Sequence, residues 1–407
     1  MNALYLYDDE RARAFEPFAL TRPASELRAG AEVTRRRWEV ALDGRATGFI
    51  GAPHLDRFAE SDAPPAAHGV IPAGAIVANA RCLPPLTSLG EDVDATLWTC
   101  NGTVAAVRLG VDVPVDEFAH GAALLDDYAP QGAHAEIQGR WLDEVWSLVG
   151  TLTAQLGDDI PLLTARLARQ QPVGTTLTGA THVIGPADQL HFEEGAVVEP
   201  FTVFDTTAGP ILVRRGATVH AFTRVIGPCY IGENSSVTAD RIAGCSIGER
   251  CRVHGEMSMT VVLGHANKSH DGFVGHSYLG RWVNLGAGTT TSNMKNTYGT
   301  VALWTPRGIR DTGMQFLGSL LGDHAKSGIG LRLTTGSVVG AGANVYGSAM
   351  PGKFVPPFSW GEAGALDVYR LEKFLDVAAR AMSRRDVALD AGARAQLTAA
   401  YQRARGR

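Results

Sequence analysis

The sequence contains no apolar run that approaches 18 residues, which is the length needed for a membrane-spanning helix. Its first residues, MNALYLYDDERARAF, do not form the basic segment followed by an apolar one that marks a signal peptide. The five cysteines show no paired metal-ligand spacing, and an odd number is poorly suited to a disulfide framework. We therefore expect a cytoplasmic protein in a reducing compartment, with no membrane span.

An excess of basic charge is also missing. The 37 lysines and arginines are outnumbered by 42 acidic residues, and the formal net charge is −5. Nucleic-acid-binding domains carry a basic face, so nucleic acid is not an expected partner. Local lysines and arginines can still bind small anions. With 407 residues and 45% hydrophobic content, the chain can form two or three domains with packed cores.

What the sequence does contain is an aliphatic residue at every sixth position. The spacing runs through Val213, Val219, Val225, Ile231 and Val237, then Ile247, Val253 and Met259, then Leu279 and Leu285, and finally Leu333, Val339 and Val345. A period of six fits neither an α-helix nor an ordinary alternating strand. Hexapeptide repeats instead predict a triangular parallel β-helix with the aliphatic residue pointing inward, here of roughly eight to ten coils. A Gly-rich β-sandwich is the weaker alternative, because alternation at period two is poor.

Three domains are predicted from this pattern. Residues 1–175 mix strands such as Ala3–Tyr7 with helical stretches and indicate an α/β layer domain, and residues 176–360 form the β-helix. Residues 361–407 are predicted to be helical and to pack on the β-helix or on a neighbouring subunit. Their apolar stripe at helical spacing consists of Leu371, Phe374, Leu375, Ala378 and Met382.

Residues 270–293, HDGFVGHSYLGRWVNLGAGTTTSN, carry a resemblance to a known family. They resemble the acetyltransferase half of the bifunctional N-acetylglucosamine-1-phosphate uridyltransferase/glucosamine-1-phosphate acetyltransferase (GlmU type). Counterparts of a less-studied GlmU-like sugar nucleotidyltransferase group occur at 20–30, 79–84 and 356–361, so the resemblance covers nearly the whole chain. It implies a left-handed β-helix, a homotrimer with active sites between subunits, and acetyl-CoA and an amino-sugar phosphate as substrates.

Acyl transfer from a thioester to an amine needs a base for the ammonium proton, donors for the oxyanion and cations for phosphates. The resemblance implies that His270 is the general base and that Asn284 and Asn293 position the acceptor and the acetyl group. Residues implied to bind substrate or CoA are Lys268, Ser319 and Lys326. A surface role for the histidine and corner hydrogen bonds for the two asparagines remain as structural alternatives.

Departures from the family pattern bear on the acceptor. Phe273 and Met294 stand where the family has tyrosines, which removes two hydroxyl donors. Asn267 stands at the position of a family lysine, and Lys268 follows one step later. The sequence therefore does not restrict the acceptor to glucosamine-1-phosphate.

A second hypothesis is a zinc site. His265 and His270 are five apart in GHANKSHDG, a spacing similar to that of gamma-class carbonic anhydrases, which use the same β-helix. Three imidazoles around an open zinc position would activate water. The candidates for a third ligand are His254, His276 and His220.

The N-terminal domain lacks the usual nucleotidyltransferase groups. The segment FALTRPASELRAG stands in place of the Gly-rich phosphate loop, although its Arg22 and Arg28 could contact phosphates. In NARCLP, Arg81 stands where a metal-binding aspartate would fall. Acidic residues that could still bind Mg²⁺ are Asp126, Asp127, Asp158 and Asp159. We predict that this domain binds a nucleotide sugar through 20–30 and 79–84, including Asn79, and forms it slowly or not at all. A non-catalytic nucleotide-sugar-binding assembly is the third hypothesis.

Overall fold

The computed structural model describes residues 3–169, 177 and 180–406, which form two compact units. The first unit comprises residues 1–145 and 389–407, and the second comprises residues 146–388. The predicted boundary between residues 175 and 176 lies outside the described residues. No helix in the described part of the chain is long and apolar enough to cross a membrane.

The first unit is an α/β domain, as predicted. Its strands are β1 Leu4–Tyr7, β2 Arg28–Ala29, β3 Glu32–Val33, β4 Ala46–Ile50, β5 Val70–Ile71, β6 Ile76–Asn79, β7 Cys82–Leu83, β8 Leu97–Cys100, β9 Thr103–Arg108, β10 Val113–Pro114, β11 His134–Glu136 and β12 Arg140–Trp141. It also contains helix α1 Thr34–Ala41 and the short 3₁₀ helices Ala12–Ala14, Ala24–Glu26, Pro53–Leu55, Gly90–Asp94, Val115–Phe118 and Leu125–Tyr128.

A six-stranded sheet in the order β11-β8-β9-β6-β1-β4 forms the centre of this unit. Strand β1 is parallel to both β4 and β6, whereas β9 is antiparallel to its two neighbours. Side chains alternate across the sheet, so Leu6 packs with Trp38 on one face while Tyr7 packs with Phe118 on the other. The carboxyl ends of parallel strands β1 and β6 lie side by side, which is where α/β sheets commonly bind ligands.

The second unit begins with two helices, α2 Ser147–Gly150 and α3 Leu152–Ala168. The first half of the β-helix contains β13 His182–Ile184, 3₁₀ helix Ala187–Gln189, β14 Leu190–Phe192, β15 Val197–Val198, β16 Val203–Asp205, β17 Ile211–Val213, β18 Thr218–Val219, β19 Arg224–Ile226, β20 Cys229–Ile231, β21 Ser236–Ala243, β22 Ser246–Ile247, β23 Arg252–Ser258 and β24 Val261–Val262. The second half contains β25 Asn267–Lys268, β26 Val274–Gly275, β27 Tyr278–Leu279, β28 Asn284–Leu285, β29 Thr290–Thr291, β30 Ala302–Thr305, β31 Gly308–Asp311, β32 Ser319–Leu321, β33 Lys326–Ser327, β34 Arg332–Leu333, β35 Ser337–Val339, β36 Asn344–Tyr346, β37 Phe354–Val355, β38 Ser359–Glu362 and β39 Ala365–Val368.

These strands form the parallel β-helix that the six-residue period predicts. A nine-stranded sheet, β14-β17-β20-β22-β24-β27-β32-β35-β37, runs along one face of the described solenoid, which agrees with eight to ten coils. The aliphatic residues of the repeat, such as Val219 and Val225, are fully buried in one core. Met259 is an exception, because it has a φ of 44° and Met257 takes the core position instead. The repeat shortens there by two residues.

The end of the solenoid differs from the predicted helical segment. Residues 361–368 belong to the antiparallel strands β38 and β39, and helix α4 begins only at Leu371 and ends at Ser383. Its predicted stripe is confirmed, because Phe374, Leu375, Ala378 and Met382 are buried. A second helix, α5 Ala391–Arg405, belongs to the first unit, where Gln396 donates to the Thr21 carbonyl at 2.6 Å.

Candidate functional site

A cavity of about 290 Å³ lies within the second unit, between helix α4 and one face of the β-helix. Its floor is a column of polar side chains from successive coils, in which Asn267 pairs with Asn284 and Asn284 pairs with Lys326 in the strand register. The Asn267 carboxamide donates to Asn284 Oδ1 at 2.9 Å. The remaining lining residues are His265, Trp282, Val283, Val377, Arg380, Ala381, Arg384 and Arg385.

The cavity is strongly basic. Burial lowers the pKa of Lys326 to about 8, and its only hydrogen bond among the described residues is a long one, 3.4 Å to the His324 carbonyl. Burial, and then the charges of Arg252 and Arg384, lower the pKa of Arg385. The structure therefore holds several cations close together at a cost in electrostatic energy, which a bound anion would offset.

An aromatic stack forms one wall and anchors the helix. The His265 and Trp282 rings lie 4.3 Å apart, Trp282 is 6.1 Å from His324, and His324 meets Phe374 of α4 edge-on at 5.8 Å. Arg281 hydrogen-bonds His265 Nδ1 at 3.1 Å and pairs with Glu249 at 2.7 Å. This wall holds α4 in place over the polar column.

The structure brings two of the predicted site residues, Asn284 and Lys326, into this cavity. The arginines of α4 were not predicted, because the helix was assigned only its apolar stripe. Their signal in the sequence is the cluster of Arg380, in the last turn of α4, with Arg384 and Arg385 directly after the helix, and we call these three residues the α4 arginines.

His270 lies in an exposed loop just after β25 and does not line the cavity. The buried Lys268 side chain holds this loop, since its Nζ donates to the His270 carbonyl at 2.7 Å and to the His254 carbonyl at 2.6 Å. Burial lowers the pKa of Lys268 to about 8. Gly272 lies in the same loop with a φ of 124°. A side chain would not fit at this position, because a Cβ would lie 2.2 Å from the Thr289 carbonyl oxygen.

Asn293 lies at another corner of the coil and hydrogen-bonds a histidine. Its Nδ2 is 2.9 Å from His276 Nδ1, and the His276 ring stacks on Phe316 at 5.2 Å. Burial lowers the pKa of His276, which favours the neutral imidazole, and because Nδ1 accepts from the Asn293 amide the other ring nitrogen carries the proton. His276 was considered only as a zinc ligand from the sequence, and its contact with Asn293 was not predicted.

Ser319, predicted to contact the thioester, is fully buried in the β-helix. Its backbone N–H donates to Ser277 Oγ at 2.9 Å, and its own hydroxyl has no hydrogen-bond partner among the described residues. The Ser319 side chain therefore lies in the interior of the coil.

The histidines of the zinc hypothesis are mostly engaged elsewhere. His254 Nε2 is 2.9 Å from Asp271, and His220 contacts Glu199 at 3.1 Å and Ser236 at 2.9 Å. Among the described residues of this single chain, no three His, Cys, Asp or Glu side chains form a group that could hold a metal ion.

The predicted phosphate-binding arginines of the first unit are buried. Arg22 is 1% exposed and forms a two-point ion pair with Glu60, with distances of 2.7 and 3.1 Å. Arg28 is also buried and donates to the Ala31 carbonyl. Both guanidinium groups stabilise the fold of the 20–30 segment in this conformation.

Asn79 and Arg81 meet an aspartate that was not singled out from the sequence. Arg81 Nη2 and Nε lie 2.6 and 2.8 Å from the Asp9 carboxylate, and Asn79 Nδ2 donates to the same group at 2.9 Å. Asn79 ends β6, Arg81 comes two residues later, and Asp9 follows β1, so these residues converge at the carboxyl ends of two parallel strands. The neighbouring Asp8 is fully buried, and burial raises its pKa to about 7.

This arrangement does not fit a Mg²⁺ site as it stands, because the oxygens of Asp9 already accept bonds from Arg81 and Asn79. The other acidic candidates are dispersed. Asp126 and Asp127 lie on an exposed turn of the first unit, whereas Asp158 and Asp159 belong to α3 in the second.

Comparison with known proteins gives a family match for the first part of the chain and several relatives. Residues 4–167 match the family described as sugar nucleotidyl transferase. A 107-residue stretch is 31% identical to the bifunctional protein GlmU of Jannaschia sp., covering 25% of this chain and 23% of that protein. A stretch of 82 residues is 37% identical to GlmU of Acaryochloris marina, covering 19% and 18%, respectively.

A third relative is the bifunctional sugar-1-phosphate nucleotidylyltransferase/acetyltransferase of Sulfurisphaera tokodaii, which is 28% identical over 95 residues, 23% of this chain and 24% of the relative. The chain thus matches less than a quarter of the length of these relatives. Among solved structures, the Arabidopsis UDP-N-acetylglucosamine acyltransferase is 12% identical with a TM-score of 0.32, over 52% of this chain and 80% of that one. Residues 4–167 thus match the sugar nucleotidyl transferase family, stretches of the chain are similar to GlmU proteins, and a hexapeptide β-helix follows the family match.

Proposed function

We propose that this protein is a transferase of nucleotide-sugar metabolism whose β-helix transfers an acyl group from acyl-CoA to an amino-sugar phosphate. The observation that carries the proposal is the cavity beneath α4, which joins the carboxamides of Asn267 and Asn284 to the buried ammonium of Lys326. Carboxamides can hydrogen-bond sugar hydroxyl or acyl groups, and an ammonium group can bind phosphate. This is the set of partners that phosphorylated substrates of such a reaction require.

The reaction needs one base and no change of redox state. The acceptor nitrogen forms a bond to the thioester carbonyl carbon, the carbon–sulfur bond breaks, and CoA leaves as a thiolate that takes up a proton. His270 is the proposed base for the ammonium proton, because its exposed ring stands on a loop whose backbone Lys268 fixes. Asn293 is proposed to orient the acyl or acceptor group beside His276.

His270 and Asn293 do not line the cavity that contains Asn284. We propose that a homotrimer completes the site by placing these groups of one subunit near the cavity of the next. A parallel β-helix offers flat faces that can associate around a three-fold axis. Multi-angle light scattering should give three times the 43.2 kDa chain mass, and a monomer at micromolar concentration would contradict this assembly.

The decisive experiment measures acyl-CoA-dependent acylation of a panel of amino-sugar phosphates by the purified chain. His270→Ala should lower turnover by about 10²- to 10⁴-fold without changing the oligomeric mass. His276→Ala serves as the matched variant, because it tests the second imidazole. Unchanged turnover in His270→Ala with a loss in His276→Ala would transfer the role of base to His276, and no acylation by the wild-type chain would refute the acyl-transfer proposal.

For the first unit, the favoured function is binding of a nucleotide sugar, with slow or absent nucleotidyl transfer. The supporting observation is the Asp9–Arg81 ion pair at the carboxyl ends of β1 and β6, where a nucleotidyltransferase would hold its metal and phosphates. Mg²⁺-dependent pyrophosphate release from UTP or dTTP and a sugar-1-phosphate would show a working nucleotidyltransferase instead. Because CoA and nucleotide sugars are metabolites of the cytoplasm, we propose that location, which cell fractionation would test.

A further inference from the structure

Helix α4 has two functional faces. The apolar face, which includes Phe374 and Ala378, packs against the β-helix. Arg380, in the last turn of α4, and Arg384, the residue that caps the helix, line the cavity together with Ala381.

The positive charge of this region is not matched by acidic residues. Among the described residues, no carboxylate forms an ion pair with any of the cations that line or flank the cavity, which are Arg250, Arg252, Lys326, Arg380, Arg384 and Arg385. Asp376 lies one turn before Arg380 on α4 and forms no ion pair with it.

These cations are also held close together by the backbone. Arg250 Nη1 donates to the Arg385 carbonyl at 3.3 Å, which fastens the end of α4 to the corner of a coil. Arg252 occupies the same strand-register column as Asn267, so it adds a cation to the edge of the polar floor. Arg385 Nε is buried without a hydrogen-bond partner in the described structure.

We propose that the cavity is a binding site for the pyrophosphate group of a nucleotide ligand, seated between Lys326 on the β-helix and the arginines of α4. The number of unpaired cations exceeds what one phosphate group would neutralise, whereas a pyrophosphate with a further phosphate would match it. This proposal deepens the proposed acyl-transfer function, since it assigns α4 to ligand binding at the same cavity. Two sources supply this chemistry, CoA and a nucleotide sugar.

The test is isothermal titration calorimetry of the full chain with five ligands: CoA, 3′-dephospho-CoA, a UDP-sugar, inorganic pyrophosphate and inorganic phosphate. Wild-type protein should bind the pyrophosphate-containing ligands at least tenfold more tightly than phosphate. Tighter binding of CoA than of 3′-dephospho-CoA would identify CoA as the source. Tighter binding of the UDP-sugar that is lost in R384Q/R385Q would identify a nucleotide sugar at this cavity, whereas UDP-sugar binding that survives in this variant belongs to the first unit and does not support the proposal.

The double variant R384Q/R385Q should weaken pyrophosphate binding by tenfold or more. Lys373→Gln is the matched control, because it removes one positive charge from the same helix at an exposed position outside the cavity. The proposal is overturned if no pyrophosphate ligand binds, or if R384Q/R385Q binds as tightly as the control. Since binding is measured without turnover, this failure is distinct from a failure of acylation in the His270 experiment.

Discussion

The arginines of the first unit and those of the α4 cavity differ in whether they have carboxylate partners. In the first unit, three buried guanidinium groups have carboxylate partners: Arg22 has Glu60, Arg35 has Glu26 and Glu39, and Arg81 has Asp9. In the α4 cavity, the arginines converge with Lys326 and have no acidic partner among the described residues. A sequence count of charges cannot distinguish the two cases.

The difference separates structural cations from cations available to a ligand. A guanidinium that already has a buried carboxylate must break that pair before it can bind a phosphate, which costs free energy. Cations that face a cavity without a partner gain free energy when an anion enters. The predicted phosphate contacts of Arg22, which is paired with Glu60, and of Arg28, which donates to the Ala31 carbonyl, therefore have weaker support than those of the α4 arginines, which the sequence motifs did not include.

The strongest way to test this comparison is to remove a paired arginine. Arg35→Leu should destabilise the first unit by about 3–5 kcal/mol, because it leaves the buried Glu26 and Glu39 without their main partner. Chemical denaturation followed by circular dichroism measures the loss. Arg36→Leu is the control, since its side chain is 36% exposed and its single pair with Glu39 should contribute less than about 1 kcal/mol. Equal effects of the two substitutions would contradict the assignment of Arg35 to the structural class.

A second prediction concerns Asp8, which is buried without a cationic hydrogen-bond partner among the described residues. Its pKa of about 7 lies above the unfolded value, so the native state binds more protons between pH 4 and 7 and stability falls as pH rises through this range. Asp8→Asn should remove this slope and stabilise the protein at pH 8 by roughly 2–4 kcal/mol. Thermal unfolding across pH 4 to 8 measures the slope, and Asp126→Asn, at an exposed position, should leave it unchanged.

Much of the fold could be predicted from the sequence, because the six-residue period indicates which side chains fill the β-helix core. The period shifts at Met259, since a residue with positive φ at a corner is not distinguishable from a core residue by hydrophobicity. Strands β38 and β39 were missed because a short capping hairpin has no period. The family motifs located Asn284, but the cavity depends on bringing α4 together with coils that lie roughly 50 to 120 residues earlier in the chain.

A smaller effect is expected at Lys268, an intermediate case, because its charge is buried and, in the described structure, its hydrogen bonds go to two backbone carbonyl groups. Lys268→Met should cost about 1–3 kcal/mol by leaving two carbonyl oxygens without a donor. It should also lower acylation turnover more than substrate affinity, because the loop that carries His270 loosens. Lys373→Met, at an exposed site, provides the control for both measurements. Unchanged turnover in a folded Lys268→Met protein would show that this loop does not position the base.

The most direct test of the anion-binding site measures the affinity for CoA by calorimetry at pH 7.5 and at pH 9.5. The phosphates of CoA are ionised at both pH values. The pKa of Lys326 is about 8, so its ammonium is mostly lost at the higher pH, while the arginines keep their charge. Wild-type affinity should fall by about tenfold or more, and Lys326→Arg should retain most of its affinity at pH 9.5. Equal wild-type affinity at the two pH values, or the same fall in Lys326→Arg, would contradict the claim that Lys326 and the α4 arginines form an anion-binding site.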